Sequence, residues 1–278
     1  MKHAAAFLLC ASAVSAHPAV SVVRDAQGNI FYSDTRQVIR IAPDGARSIA
    51  VPGVHTHELW LDGQGALHGE HLVFHPGAAP GREWTHSVWK RSPDGAVTTL
   101  IPTRPGFLED YRDFSFQRDS TGAMYWLRAA TGKTELLRRA GNAPIEVVAA
   151  IPGTQLGWLA VLPGGQALVS DHGSLLRIAR GGAITRPPRP LSPGRDQHAL
   201  MSAWAAPDGS VLIADWDGAA IRRIPPSGGM ETAATCPAPW RPTGGLSAPD
   251  GSLWILEADP QNNQRLRRVT PSGQFRVY

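Results

Sequence analysis

Cysteine is almost missing from this chain: 278 residues hold two, Cys10 and Cys236. Cys10 lies within the opening apolar run and follows Leu9 rather than a small residue, which argues against lipid attachment. The body of the chain therefore has one thiol, and no internal disulfide can form. Cys236, between Thr235 and Pro237, reads as a buried small hydrophobe. A chain of this length without cross-links must rely on its core, and it is long enough to bury a large one.

Charge of one sign is also lacking. The chain has 27 Lys and Arg against 23 Asp and Glu, a formal net charge of +4. Arginines recur singly or in pairs (Arg40, Arg138, Arg139, Arg177, Arg222, Arg223, Arg267, Arg268), without a basic run or a nucleic-acid module. This is a mixed solvated surface and argues against a nucleic-acid partner. No segment of useful length has helical periodicity, and 24 prolines with 29 glycines oppose one. A nucleophile elbow, a glycine-rich phosphate loop, an HExxH helix and a paired-cysteine motif are all missing.

The chain opens on Met1-Lys2-His3, an apolar run from Ala4 to Val14, and Ser15-Ala16 before His17. A positive start, a short apolar core and small residues at the end predict a secretory signal peptide cleaved after Ala16. The run is about half of the roughly 20 residues a membrane-spanning helix needs. The expectation is an exported soluble protein, periplasmic or secreted, with residues 17–278 as its mature part.

Those residues repeat. Each unit reads as an apolar strand, a tight turn ending in Gly, a second strand, an acidic residue, a third strand with Arg, a Pro-x-Gly turn and a fourth strand. The first copy runs from Val22 through Asp25, Gly28, Ile30-Phe31-Tyr32 and Asp34 to Val38-Ile39-Arg40-Ile41, Pro43-Asp44-Gly45 and Ser48–Val51. The turn glycines are Gly28, Gly65, Gly122, Gly165, Gly209 and Gly251, spaced 37, 57, 43, 44 and 42 residues apart. One blade cannot bury both of its faces, so repeats of this length stack around an axis. The fold class is all-β, a single six-bladed β-propeller of four-stranded antiparallel blades. Each blade is expected to take its strands from one continuous repeat, with none swapped between the chain ends.

The pattern apolar-x-x-Asp-x-x-Gly-x-Ile-Tyr-x-x-Asp, followed by Ile-x-Arg-Ile and Pro-x-Gly, resembles the NHL repeat and, more broadly, the SMP-30/gluconolactonase propellers. The resemblance covers residues 17–278 and implies the fold; such folds host lactonases, lyases, sugar binders and protein-interaction modules. The metal set typical of those enzymes, a glutamate, two asparagines and an aspartate at blade entrances, does not carry over. Asn29, Asn142, Asn262 and Asn263 all fall in turns or loops.

Comparing the copies shows where function departs from scaffold. Six residues after each turn glycine stand Asp34, His71, Arg128, Asp171, Asp215 and Glu257. The three aspartates read as structural turn formers; His71 and Arg128 depart. The second copy also carries about 14 extra residues and six of the ten histidines: His55, His57, His68, His71, His75 and His86. Propeller topology puts Val54–Glu58 and Glu70–His86 at one mouth of the central channel, with the second stretch as an inserted loop. Tyr111-Arg112-Asp113, Trp158, Asp171-His172, His198, Asp215-Trp216 and Arg241 are expected on the same face.

The expected catalytic residues are His57, Glu70, His71 and Arg128, and the expected substrate-binding ones Asp113, Trp158, His172, Trp216 and Arg241. His57, Glu58, His71 and His198 are the candidate ligands of a divalent metal, zinc, calcium or another; the bland alternative is loop histidines bonded to backbone. His68 occupies a packing position, while His75 and His86 ride the insertion and are expected to face solvent. Trp60, Trp126, Trp204 and Trp254 fit as wedges between blades. Trp84, Trp158, Trp216 and Trp240 fall in loops, where indoles stack on sugars. The functional expectation is a metal-assisted hydrolase or lyase acting on a small lactone-like or carbohydrate-like molecule. The alternative is a non-catalytic propeller that binds a glycan or a protein.

Overall fold

The six turn glycines adopt φ between +78° and +87°, the left-handed region that glycine alone enters without steric cost. Each ends the turn between the first two strands of a blade, so the sequence period is the blade period. The computed structural model describes residues 17–79, 82–105, 110, 112–119, 121–153, 156–186, 190–192 and 198–278. The leader expected over residues 1–16, and Tyr111, lie outside the described residues.

Blade one comprises β1–β4 (Val22–Arg24, Ile30–Ser33, Gln37–Ile41, Arg47–Pro52), and blade two β5–β8 (Leu59–Leu61, Leu67–Phe74, Trp84–Arg91, Val97–Pro105). Blade three is β9–β12 (Asp113–Arg118, Met124–Ala130, Lys133–Arg139, Glu146–Pro152). Blade four is β13–β16 (Leu159–Val161, Ala167–Asp171, Ser174–Ile178, Ile184–Thr185). Blade five is β17–β20 (Leu200–Ala205, Val211–Asp215, Ala220–Ile224, Glu231–Thr235), and blade six β21–β24 (Arg241–Ser247, Leu253–Ala258, Gln264–Val269, Phe275–Val277). Each sheet is an antiparallel meander of consecutive strands, so no strand is exchanged between the ends. No helix of the described residues is long and apolar enough to cross a membrane.

The repeated arginine has a local job. Arg40, Arg138, Arg223 and Arg268 face Phe31, Tyr125, Leu212 and Trp254 across the second and third strands. Their Nε atoms donate to Asn29 Oδ1, Tyr125 Oη, Ser210 Oγ and Ser252 Oγ at 2.9–3.2 Å. Arg223 and Arg268 also pair with Asp208 and Asp250 of the preceding turn. In blade two this clamp is rewritten as His68 and Lys90 sharing Asp62 Oδ2, at 3.0 and 3.4 Å. His68 is buried, as its packing position predicts.

Apolar clusters seal the seams between blades one and two, three and four, four and five, five and six, and six and one. At the seam of blades two and three the described residues form no such cluster; Met124, Trp126 and Leu137 pack within blade three. The ring closes without a swapped strand. Ser21 bridges Gly245 in parallel, and the Val20 N–H donates to the His57 carbonyl at 3.0 Å. A Cβ on Gly244 would stand 1.8 Å from the Val20 carbonyl oxygen, so only glycine admits this approach.

Candidate functional site

The extra residues of blade two are only in part the loop expected there, between β6 and β7. The rest lengthen a hairpin: β6 and β7 have eight residues each where β14 and β15 have five, paired from Leu67↔Arg91 to Phe74↔Trp84. Pairing decides which residues face inward, because alternate side chains share a face. Thus His86, expected on the surface, is buried opposite Leu72, whereas His75 is exposed as expected and bonds Thr85 Oγ1 at 2.8 Å.

Glu70 stands five residues after its turn glycine, where the other blades carry Ser33, Leu127, Ser170, Ala214 and Leu256, all buried. In blade four Ser170 Oγ accepts the Trp158 backbone N–H at 2.9 Å. In blade two Glu70 Oε1 accepts the Glu58 backbone N–H at 3.3 Å over the same 12-residue separation, and that of His57 at 2.9 Å. Glu58 and Glu70 thus occupy the places of Trp158 and Ser170. The indole that fills the seam after blade four is replaced by a carboxyl group in blade two. The Glu70 carbonyl accepts from Trp89 Nε1 at 3.1 Å and from Thr56 Oγ1 at 2.5 Å, which fixes the backbone under the carboxyl.

The seam left open holds a cavity of about 90 Å³ lined by His57, Glu58, Glu70, Leu72, His86, Phe114, Ser115 and Phe116. A void of about 10 Å³, room for about one water, adjoins it behind Glu58 and Phe116. Glu58 and Glu70 both keep some accessible surface, but Oε2 of each is buried among protein atoms. Burial, then the Glu70 charge, raises the Glu58 pKa well above the usual carboxyl range, against a hydrogen bond from Gln117. Burial raises Glu70 too, and the backbone donors of His57 and Glu58 oppose it. The donors make Glu70 the better anion and Glu58 the better acid. Glu58 Oε2 and Glu70 Oε2 are buried without a hydrogen-bond partner.

Beside the cavity the histidines form a chain. His55 Nε2 and His57 Nε2 lie 2.9 Å apart, and the His55 backbone N–H donates to His71 Nδ1 at 2.9 Å. The His17 and His198 rings are 4.5 Å apart. Burial, followed by neighbouring His55 and His17, lowers the His57 pKa to about 3; burial leads the lowering of His55 and His71 too. His57 is therefore neutral at ordinary pH, the form of imidazole that accepts a proton rather than the form that gives one up. His71, which was expected to act beside it, is tied to the His55 backbone.

The expected metal set is not assembled. Among the described residues no group of three or more His, Cys, Asp or Glu side chains could hold a metal ion. His57 faces His55, His71 accepts from the His55 backbone, and His198 lies against His17.

Other expected site residues are spent on structure. Asp113, expected to bind substrate, is buried and takes both Arg128 Nε (2.5 Å) and Nη2 (3.0 Å), so it forms one fork with the arginine expected to act in catalysis. Trp158 is not in an open loop: it packs between blades four and five, and its indole N–H donates to the Leu200 carbonyl. Arg241 donates to the Trp216 carbonyl at 2.7 Å and lies over its ring at 5.9 Å. His172 sits in a left-handed turn (φ 52°) with Nδ1 2.9 Å from Asp171. As expected, Asp34 and Asp215 hold turns, Asp34 through the Arg36 and Gln37 N–H groups and Asp215 through the Gly218 N–H and Arg222. Trp84 packs on Phe74 at 5.0 Å, and Arg265 covers Trp240 at 4.0 Å. Sequence reasoning missed His86, Phe114, Phe116 and Gln117. The signal for Glu58 and Glu70 as a pair was the odd residue at the fifth position, one before the position compared.

No family model matches the chain, and no curated protein matches it in sequence. Its fold is shared with solved propellers. A virginiamycin B lyase from Staphylococcus aureus aligns at TM-score 0.57 and 13% identity over 94% of this chain and 84% of that one. A gluconolactonase from Xanthomonas campestris aligns at 0.59 and 13%, over 86% and 83%. An auxiliary nutrient binding protein from Bacteroides thetaiotaomicron aligns at 0.60 and 12%, over 94% and 69%. At these identities the likeness is one of fold.

Proposed function

We propose that this propeller is an exported hydrolase or lyase acting on a small molecule, lactone-like or carbohydrate-like, at the open seam of blades two and three. The carrying observation is the Glu58–Glu70 pair, two buried carboxyls in different hydrogen-bonding environments on one cavity. Groups of raised pKa work near neutral pH, the anion as base and its protonated neighbour as acid. In this reading Glu70 takes a proton from water or from an acidic carbon of the substrate. Glu58 gives its proton to the departing oxygen, and neutral His57 borders the same cavity.

Fold neighbours that are named as lyases and lactonases are consistent with this class of chemistry. The nutrient-binding neighbour supports the second reading, a ligand-binding propeller without turnover. A panel of lactones and glycosides separates the two. On whichever substrate turns over, Glu70→Gln and Glu58→Gln should each cost about 100-fold or more in kcat, with unchanged circular dichroism. Full activity in both variants sinks the acid–base assignment, and binding without turnover across the panel favours the second reading.

A further inference from the structure

The open seam has a chemical character of its own. Two carboxyls present unpartnered oxygens beside the rings of Phe114 and Phe116, which lie on the inner strand of the next blade. That strand has a bulge: its register against β10 shifts between Tyr125 and Leu127. Ser115, at the bulge, takes a left-handed φ of 50°, and its Oγ accepts the Leu159 N–H at 2.7 Å. The bulge thereby ties the two phenylalanines to blade four and sets them across from the carboxyls.

Among the described residues no lysine or arginine lines the cavity. The titratable groups facing the pair are His57 and His86 in the same cavity and Arg118 in the adjoining void. Arg118 lies behind Phe116, its guanidinium 5.3 Å from that ring centroid and 4.0 Å from that of Trp60, and its Nη1 donates to the Gly122 carbonyl at 3.2 Å. A buried anion without a counter-ion is costly, and a cation that enters repays that cost. Aromatic faces add their own attraction for a cation.

We propose that this cavity binds a small organic cation, its ammonium group between the Glu58 and Glu70 oxygens and its apolar substituent against Phe114 and Phe116. In naming a ligand for the proposed site, this rests on reading the seam as a binding cavity. Equilibrium binding needs no turnover, so the two claims fail separately.

The test is titration calorimetry of the whole protein with n-propylammonium, small enough for a cavity of about 90 Å³, its neutral isostere 1-propanol, and calcium chloride, at pH 5.5 and pH 8. Propylammonium should bind at pH 8 at least tenfold more tightly than propanol. Its binding should weaken at pH 5.5, because the proton it displaces is then held more firmly, and should release protons, seen as buffer-dependent heat. Glu58→Gln and Glu70→Gln should each lose tenfold or more; Gln keeps the oxygen that accepts the backbone N–H groups at position 70. Phe116→Leu, which spares the carboxyls, should lose a smaller factor. Equal binding of the alcohol, or amine affinity unchanged in both Gln variants, overturns the proposal. So does calcium that displaces the amine and binds more tightly, which would make the pair an inorganic-cation site.

Discussion

At the scale of single residues, two substitutions turn a sealed seam into a cavity: glutamate where blade four has Trp158 and glutamate where it has Ser170. Their energetic signature is a dependence on pH. A carboxyl whose pKa the fold raises loses stabilising effect as pH climbs from its ordinary value, 4.5, through the raised one, because the unfolded chain gives up the proton first. His57 works in the opposite sense. It is neutral when folded, with a pKa lowered from 6.5 to about 3, so stability is lost as pH falls between those values. The two regimes overlap between pH 4.5 and 6.5, where their slopes oppose, and the parent protein should be most stable there. Glu58→Gln should be more stable than the parent at pH 8, and the gap should shrink towards pH 4.5, where both states hold the proton. Urea denaturation across that range measures the gap, and a flat or reversed difference would refute the assignment. Both glutamates were legible as site candidates, Glu70 among the catalytic residues and Glu58 among the metal ligands, because they lie beside the histidine cluster. What the sequence hid was their pairing, since the facing blade decides which side chains are buried together.

At the scale of elements, the hairpin β6–β7 is the departure from the repeat. Its extra length reads as a loop in the sequence because Pro76, Gly77 and Pro80 interrupt it, yet the strands run on to Phe74 and from Trp84. Gly69 fixes how it packs. A Cβ there would meet Trp89 at 2.4 Å and the Thr56 methyl at 2.8 Å. The same indole N–H is bonded to Thr56 Oγ1 and the Glu70 carbonyl. Gly69→Ala should cost about 1–3 kcal/mol through overpacking, read as a lower urea midpoint. It should also disturb the carboxyl pair, read as a changed pH dependence of stability. An alanine variant with parental stability would show that the hairpin yields more easily than the contacts imply. Trp158 was misplaced for a related reason: the residue just before an inner strand reads as loop, and only packing shows that it is a wedge.

At the scale of the whole molecule, apolar side chains among the described residues seal five seams, and the described lining of the sixth is carboxyls, histidines and phenylalanines around small voids. Local opening follows the weakest packing. Hydrogen exchange should therefore be faster in β5 and β9, which flank that seam, than in β13 and β17, which flank a sealed one. Peptide-resolved exchange by mass spectrometry tests this, and uniform protection of all inner strands would count against a weak seam.

The sequence alone determined the blade number, the four strands per blade, the unswapped closure and the structural turns at Asp34 and Asp215. Glycine spacing and alternation are local properties that survive without knowing what packs on what. The tertiary structure alone decided which polar residues are spent and which are left over. Asp113 and Arg128 satisfy each other, Trp158 fills a seam, and His57 is held neutral. Glu58 and Glu70, 12 residues apart in the chain, meet at the unsealed seam. Burial and partnership are set by the neighbouring blade, and no residue's own sequence context specifies which face of which blade will lie against it.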